Sequence, residues 1–384
     1  MRAKELLGLI PEKILKSLSV ETKVDHQVKK LSGHLMFQLI LYSMMNRKRV
    51  SLRVMEEFLK SSTFSTLSHS PEIDSRYNSL SDRIAMIKSE YFERIFYHVY
   101  DSFTNYLDEK DAINRFDSTM VAILSKLFHD GMRVGKTGGK NKKQYKFTFK
   151  MHGSLPECFQ IFSEQIYLSE DIALSKVILE DKRNAKNVIV FDRGLKMKKT
   201  LEKLTVDDVT FVTRTHLDNA HSVLTKNKID KKPKGATVTV AEDLTILFEY
   251  TIRPKVRHQF RLIKARIDKT SEEIYFLSNS QTLSAYEIAE IYKSRWDIEI
   301  FFKFLKQELN ISHLVSRSPN GLKVMMYMTL ITAILVIAFR KINKISSFKI
   351  AKLRLSLELE TTLIGQIVYL CGGDLDKFNN LYDP

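Results

Sequence analysis

Cysteine is almost absent from this chain of 384 residues: Cys158 and Cys371 are the only two, more than two hundred positions apart. That count excludes a disulfide framework and a cysteine-rich zinc site, and it fits a reducing compartment. Acidic residues are also in short supply. Lys and Arg number 61 against 45 Asp and Glu, a formal net charge of +16, so a polyanion such as nucleic acid is the partner expected first, with an anionic membrane second. No apolar run is long enough for a clear membrane span. Residues 324–339 carry no charge, but they fall short of the roughly 18 to 20 residues a spanning helix needs, and Tyr327, Thr329 and Thr332 interrupt them. A buried core helix is expected there instead. The first residues lack both an uninterrupted apolar stretch and a small-residue cleavage site, so no secretory signal is read. Repeats and low-complexity tracts are missing as well. What is present, 44% hydrophobic content over this length, can build a sizeable core in two or three domains.

Charge and periodicity divide the chain. Residues 1–110 read as helical: an apolar helix over 34–45, a basic interruption at Arg47, Lys48 and Arg49, a helix capped by Ser51 that runs through Lys60, and another from about 81 carrying Ile84, Ile87, Phe92, Ile95 and Phe96. Two helices about a basic turn have the outline of a helix-turn-helix, so Arg47, Lys48, Arg49 and Arg53 are expected to reach DNA phosphates. From 111 to 215 short strands are predicted at 112–124, 145–151, 158–162, 187–191 and 209–214, with helices at 171–179 and 196–204 between them, an α/β order. The strand over 187–191 has no polar alternation after Asn187, as expected of a strand covered on both faces. Residues 216–283 look like a β-rich insertion with strands at 237–240, 244–250 and 274–278. Helices return over 284–309, 320–341 and 349–370.

The basic residues are concentrated. Arg133, Lys136, Lys140, Lys142, Lys143, Lys146 and Lys150 form one run without an acid, and Arg253, Lys255, Arg257, Arg261, Lys264 and Arg266 form another. Two acid-free runs favour contacts to a phosphate backbone, with Arg257 and Arg261 as candidates. Three carboxylates stand out against this background. Asp117 interrupts an apolar strand, where an ionised group is costly unless it is satisfied. Asp192 ends the strand 187–191, and the carboxyl end of a strand in an α/β sheet is where ligand sites form. Glu299 lies in the helix beginning near Ser284. In that helix Tyr292, Arg295, Glu299 and Lys306 fall at offsets 0, 3, 7 and 14, within roughly 60° of arc at about 100° per residue. Phenol, guanidinium, carboxylate and ammonium would then share one face. Trp296, the only tryptophan, is expected in the core, and Phe248, Tyr250, His258 and Phe260 are the aromatics the insertion offers for stacking on bases.

The spacing Tyr-x2-Arg-x3-Glu-x6-Lys, preceded by Phe-Asp117-Ser-Thr and Val-Phe-Asp192-Arg-Gly, resembles the signature of bacterial insertion-sequence transposases of the DDE type, the IS-four family, over about residues 30 to 345. Leu195 and Lys293 depart from the residues common in that family, and neither touches a carboxylate. The resemblance implies an RNase H-like α/β catalytic domain with a β-rich insertion, preceded by an all-helical region. It also implies that Asp117, Asp192 and Glu299 hold two Mg²⁺ or Mn²⁺ ions, and that Tyr292, Arg295 and Lys306 bind phosphates near the cleaved bond. The implied partners are duplex DNA, both terminal inverted repeats and target, and a second subunit in the DNA complex. The expected location is the cytoplasm, in association with the nucleoid. Two alternatives remain open from residues alone: a catalytically inactive DNA-binding descendant acting as a repressor, and an RNase H-like nuclease acting on other DNA structures.

Overall fold

The computed structural model describes residues 3–70, 73–109, 113–123, 131–133, 143–181, 187–216, 221–249, 258–316 and 318–382. The described chain opens with the helices α1 (Ala3–Leu7), α2 (Glu12–Thr22), α3 (Gly33–Asn46), α4 (Leu52–Leu59), α5 (Ser62–Ser68), α6 (Tyr77–Met86) and α7 (Ser89–Tyr106). Next come β1 (Ile113–Ile123), β2 (Met132–Arg133), β3 (Lys143–His152), β4 (Leu155–Phe162), α8 (Glu170–Glu180), β5 (Val188–Phe191), α9 (Lys198–Val206) and β6 (Phe211–Arg214). Four strands come after these: β7 (His221–Lys226), β8 (Val238–Phe248), β9 (Phe260–Ile267) and β10 (Glu273–Ser278). The helices α10 (Ala285–Lys293), α11 (Trp296–Gln307), α12 (Pro319–Ile342), α13 (Phe348–Leu370) and α14 (Leu375–Tyr382) close it. The architecture is mixed α/β.

All ten strands among the described residues join one sheet in the order β2-β3-β1-β5-β6-β10-β9-β8-β7, with β4 paired to β3. β1, β5 and β6 run parallel; their remaining neighbours are antiparallel. Strands from the segment 216–283 are hydrogen-bonded onto this same sheet through β10 and β6, so they widen it. β8 is a single strand where the pattern suggested two, because a register shift between Val240 and Glu242 interrupts the alternation. Neither β7 nor β9 was expected: β7 is largely exposed and polar, and the charges of Arg261, Lys264 and Arg266 hide the apolar face of β9.

Successive side chains of the central strands alternate between two cores. Phe116, Ile189, Phe191 and Phe211 pack with Leu174 and Ile178 of α8 and Leu201 of α9, while Val190 and Val212 pack with Ile288, Ala289 and Tyr292 of α10. Both faces of β5 are therefore covered, which is why it reads as continuously apolar. A third core is helical. At its centre stands α12, in contact with α3, α6, α7 and α13, and every residue from Val324 to Phe339 is buried. It is the one described helix long and apolar enough to cross a membrane, and 94% of its most apolar window is buried against protein. Ser32, Ser51 and Ser318 cap α3, α4 and α12 by accepting backbone N–H bonds, which accounts for where these helices start.

Two expected helices are each broken in two. The segment from 81 to 96 divides between α6 and α7, with Ile87 extended, and the segment from 284 to 309 divides between α10 and α11 at Ser294 and Arg295. Ser294 and Arg295 keep right-handed helical backbone angles at this second break, and Trp296 is 60% exposed instead of packed in the core.

Three cations of the basic runs are held inside the fold. On β3, Lys146 bonds Glu170 and the Leu168 carbonyl, and Lys150 is held between Glu157 at 2.8 Å and Asp181 at 2.6 Å, both lysines being buried. Arg261 is 7% exposed and forms a bidentate pair with Asp243 while donating to the carbonyls of Ser280 and Leu283. It is a structural cation of the widened sheet, not one that faces a phosphate backbone. Arg257, Arg253, Lys255, Tyr250, Lys136, Lys140 and Lys142 lie outside the described residues. Replacing Arg261 with Ala leaves the Asp243 carboxylate buried and unpaired, and should cost about 3–5 kcal/mol of stability in urea unfolding at pH 7. A loss below about 1 kcal/mol would show that the pair does not support the sheet.

Candidate active site

Strand register brings the first two carboxylates together. Phe116 of β1 is paired in parallel register with Phe191 of β5, so Asp117 and Asp192, each one residue further on, stand at the same height on neighbouring strands. By alternation both leave the face that carries Phe116 and Phe191 and turn toward α10 and α11. Tyr292, near the end of α10, donates its hydroxyl to Asp192 Oδ1 at 2.9 Å. The next turn supplies Arg295. Its guanidinium lies 2.5 Å from Glu299 Oε1, one turn along α11, and 3.4 Å from Asp117 Oδ2. The helix break is itself fixed to the sheet, because Arg115 of β1 donates to the Ser294 carbonyl at 2.7 Å and to the Gly153 carbonyl at 3.0 Å, and pairs with Asp297 at 3.5 Å. The odd-numbered residues of β1 thus meet one helix junction: Arg115 holds its backbone and Asp117 meets its guanidinium.

The two aspartates are not electrostatically equivalent. Burial pushes the Asp117 carboxyl up to about 7; the Ser118 backbone N–H and Arg295 oppose this, and Glu170 and Asp192 add to it. Asp192 also loses solvation through burial, but the Arg193 backbone N–H, Arg295, the Tyr292 hydroxyl and Arg214 outweigh the loss and hold it below the ordinary carboxylate value. Arg295 is buried, yet Tyr292, Glu299 and Asp192 raise it further and keep it charged. All the donors are oxygens, which suits a hard divalent cation. Among the described residues, however, no three acidic, histidine or cysteine side chains stand close enough to ligate one ion, and the positive charge between the carboxylates is Arg295.

Two neighbours of the site were not singled out from the sequence. Glu170, at the start of α8, acts on Asp117 and packs so closely on Gly194 that a Cβ there would collide with its Cγ. The glycine in Asp-Arg-Gly is the one signal that something approaches at this point. Arg214, ending β6, acts on Asp192 and lines a small pocket of about 90 Å³ with Arg193, Lys196, Lys198 and His216. A lone arginine at a strand end carries no signal of its own.

The other expected contacts are dispersed. Lys306 is exposed near the far end of α11, two turns from Glu299, while Tyr292 and Arg295 are buried against carboxylates. Arg47, Lys48 and Arg49 are exposed in the turn between α3 and α4, and Arg53 is exposed on α4. Lys352 of α13 connects this turn to the site helix: its amine donates to the Arg47 carbonyl at 3.5 Å and to the Glu308 carbonyl at 2.9 Å. Phe248 and Phe260 are buried, and His258 lies against Glu202, so these aromatics are not presented for stacking.

The fold disfavours the ionised form of Asp117, so stability should fall as pH rises from about 4 toward 7 and stay reduced above that. Asp117→Asn, neutral at every pH, should therefore be more stable than the parent at pH 8 by on the order of a few kcal/mol, and the gain should vanish near pH 4. Thermal unfolding in chelator measures this; a difference independent of pH would show that the carboxyl is not held out of its ordinary range.

Residues 116–335, more than half of the chain, match the family model described as the transposase DDE domain. A transposase of Sinorhizobium fredii, y4zB, is 28% identical over 137 residues, covering 35% of this chain and 38% of that protein. One named for insertion sequence element IS4SA of Synechocystis is 32% identical over 112 residues, 29% of this chain and 27% of its own length. Another, named for insertion sequence element IS5377 of Geobacillus stearothermophilus, is 27% identical over 158 residues, 41% of this chain and 40% of its own. The chain spans well under half the length of these curated relatives. The matched interval runs from the residue before Asp117 to the middle of α12 and contains Asp192, Arg295 and Glu299, so the chain belongs to the DDE transposase family.

Proposed function

We propose that this protein is a DNA transposase that cuts the ends of a mobile element and joins them to target DNA by metal-dependent phosphodiester chemistry. One observation carries the reading: three carboxylates from sequence-distant elements, Asp117, Asp192 and Glu299, are arranged about the single guanidinium of Arg295 in a chain of net charge +16. The parallel trio β1, β5 and β6 beside antiparallel β3 is consistent with an RNase H-like core, formed by residues 111–215 and 284–345. Residues 216–283 would be its insertion, 1–110 the region that binds element ends, and 346–384 a C-terminal helical segment.

Asp117, Asp192 and Glu299 would hold two Mg²⁺ or Mn²⁺ ions, which would activate an attacking oxygen and neutralise charge on the leaving one. The attacking oxygen would come first from water, at an element end, and later from the freed 3′-hydroxyl, at the target. Arg295 is the mobile charge in this scheme: it neutralises the acids in the absence of DNA and would turn to a phosphate when DNA arrives. Tyr292 keeps Asp192 oriented through its hydroxyl. Lys306 and the basic turn at Arg47, Lys48, Arg49 and Arg53 would carry the flanking backbone. The Lys352 tether, which places that turn beside the end of α11, supports their acting on one duplex. Two subunits would pair two ends.

Asp117→Asn, Asp192→Asn and Glu299→Gln should each lower Mg²⁺-dependent cleavage of end oligonucleotides by at least about a thousandfold, while gel-shift affinity for the same duplexes stays within about threefold. Retained cleavage removes a residue from the catalytic set. Replacing Arg47, Lys48 and Arg49 together with Ala should weaken end binding and reduce the slope of log affinity against log salt by about 2 to 3. An unchanged slope would move recognition away from this turn.

A further inference from the structure

The first turn of α8 grips the chain just past Asp192. Asp171 Oδ1 accepts the backbone N–H groups of Lys196 at 2.8 Å and Met197 at 2.9 Å, and Glu170 lies so close over Gly194 that a side chain there would collide with it. Lys146, a buried cation of β3, donates to Glu170 Oε2 at 3.1 Å. Three elements, β3, α8 and the turn after β5, thus fix one carboxylate beside the candidate site, near enough for its charge to be felt at Asp117. Its two oxygens differ. Oε2 has the lysine, whereas Oε1 is buried with no hydrogen-bond partner among the described residues. A buried carboxylate oxygen without a donor is costly to keep, so it points to a donor supplied from outside the chain. Neutralising Lys146 needs Oε2 only and leaves Oε1 unexplained.

We propose that Glu170 is a fourth acid of this site, whose Oε1 accepts from a water molecule carried by the divalent cation that Asp117 and Asp192 hold. The inference rests on the reading of those aspartates as cation-holding residues. Direct ligation by Glu170 is disfavoured, because no three acidic, histidine or cysteine side chains among the described residues stand close enough to ligate one ion. Mg²⁺ keeps several of its waters when it binds protein, and those waters donate to acceptors beyond the reach of the metal itself. An oxygen with no donor of its own, on a side chain confined by Lys146 and Gly194, is an acceptor of that kind. Gly194 then has a function: it admits Glu170 to the turn that follows Asp192.

The test is a Mn²⁺ titration of the full-length protein without DNA, with free Mn²⁺ read from its EPR signal. The parent should bind Mn²⁺ and Asp192→Asn should not. Glu170→Gln should weaken binding about tenfold, the scale on which partners beyond the ligands act. That variant leaves Lys146 without its countercharge, so the double variant Lys146→Met, Glu170→Gln is measured beside it; its thermal unfolding should lie close to that of the parent while its Mn²⁺ affinity stays about tenfold low. Asp171→Asn removes an equal charge one residue away, keeps an acceptor for Lys196 and Met197, and should stay within about twofold of the parent. In cleavage assays Glu170→Gln should raise the half-saturating Mg²⁺ concentration about tenfold and leave the rate at saturating Mg²⁺ within about threefold. Glu170 variants that bind Mn²⁺ as the parent does, while Asp192→Asn does not, would overturn this inference alone. Equal losses in Asp171→Asn and Glu170→Gln would overturn it by showing a general effect of charge. A parent that binds no Mn²⁺, or an Asp192→Asn protein that binds it normally, would overturn it together with the reading on which it rests.

Discussion

One guanidinium, paired with two carboxylates and acting through its charge on a third, sets the geometry on which the rest of the site depends. Two aspartates at equal height on adjacent parallel strands repel each other, and burial in the groove between sheet and helices makes each more costly to ionise. Arg295 relieves this, pairing with Asp117 at 3.4 Å and acting on Asp192 through its charge. At the break the Ser294 carbonyl accepts from the Asp297 N–H, and Arg115, two residues from Asp117 on the same strand, bonds it as well. Strand register, helix break and ion network are therefore one constraint, satisfied by two arginines that differ in role: Arg115 is fixed by backbone carbonyls, whereas Arg295 is held by charges that another cation could replace.

The carboxylates were legible from sequence because each violates its surroundings. Asp117 interrupts an apolar strand, Asp192 ends another, and Glu299 sits at a fixed spacing from Tyr292 and Arg295. The helix break was not legible. Neither Ser294 nor Arg295 is a helix breaker by type, and the break is stabilised by a contact from Arg115, 179 positions away in sequence. A continuous helix puts Tyr292, Arg295, Glu299 and Lys306 on one face, where the fold buries Tyr292 and Arg295 and leaves Lys306 and Trp296 in solvent. Charge density misled in a similar way. Lys146, Lys150 and Arg261 look like surface cations in a run, but their partners Glu170, Asp181 and Asp243 are distant in sequence and become visible only once the strands are paired.

The helical layer is more than a platform for the sheet. α12 joins the N-terminal helices to the end of the chain, and α13 carries Lys352, whose amine burial pushes down to about 8 while Glu308 opposes the shift. That amine ties a basic turn near residue 47 to the last turn of the glutamate helix. Regions separated by some three hundred positions thus share a joint at the far end of the helix that carries Glu299. A displacement of the basic turn would be felt at α11 through one side chain, without passing through the sheet.

The apolar character of α12 also constrains how the protein can be made. A helix with no charge between Lys323 and Arg340 is, outside its fold, a strong substrate for aggregation or for the machinery that inserts membrane proteins. Its sheath consists mainly of α3, α6 and α7, all of which lie earlier in the chain. During synthesis these helices leave the ribosome some two hundred residues before α12 does, so the cavity that will enclose it can be assembled in advance. Placing the most hydrophobic element late and its cover early lets a sequence hold a membrane-grade helix and still fold in water, and moving α12 to the front of the chain would remove that protection with every native contact unchanged.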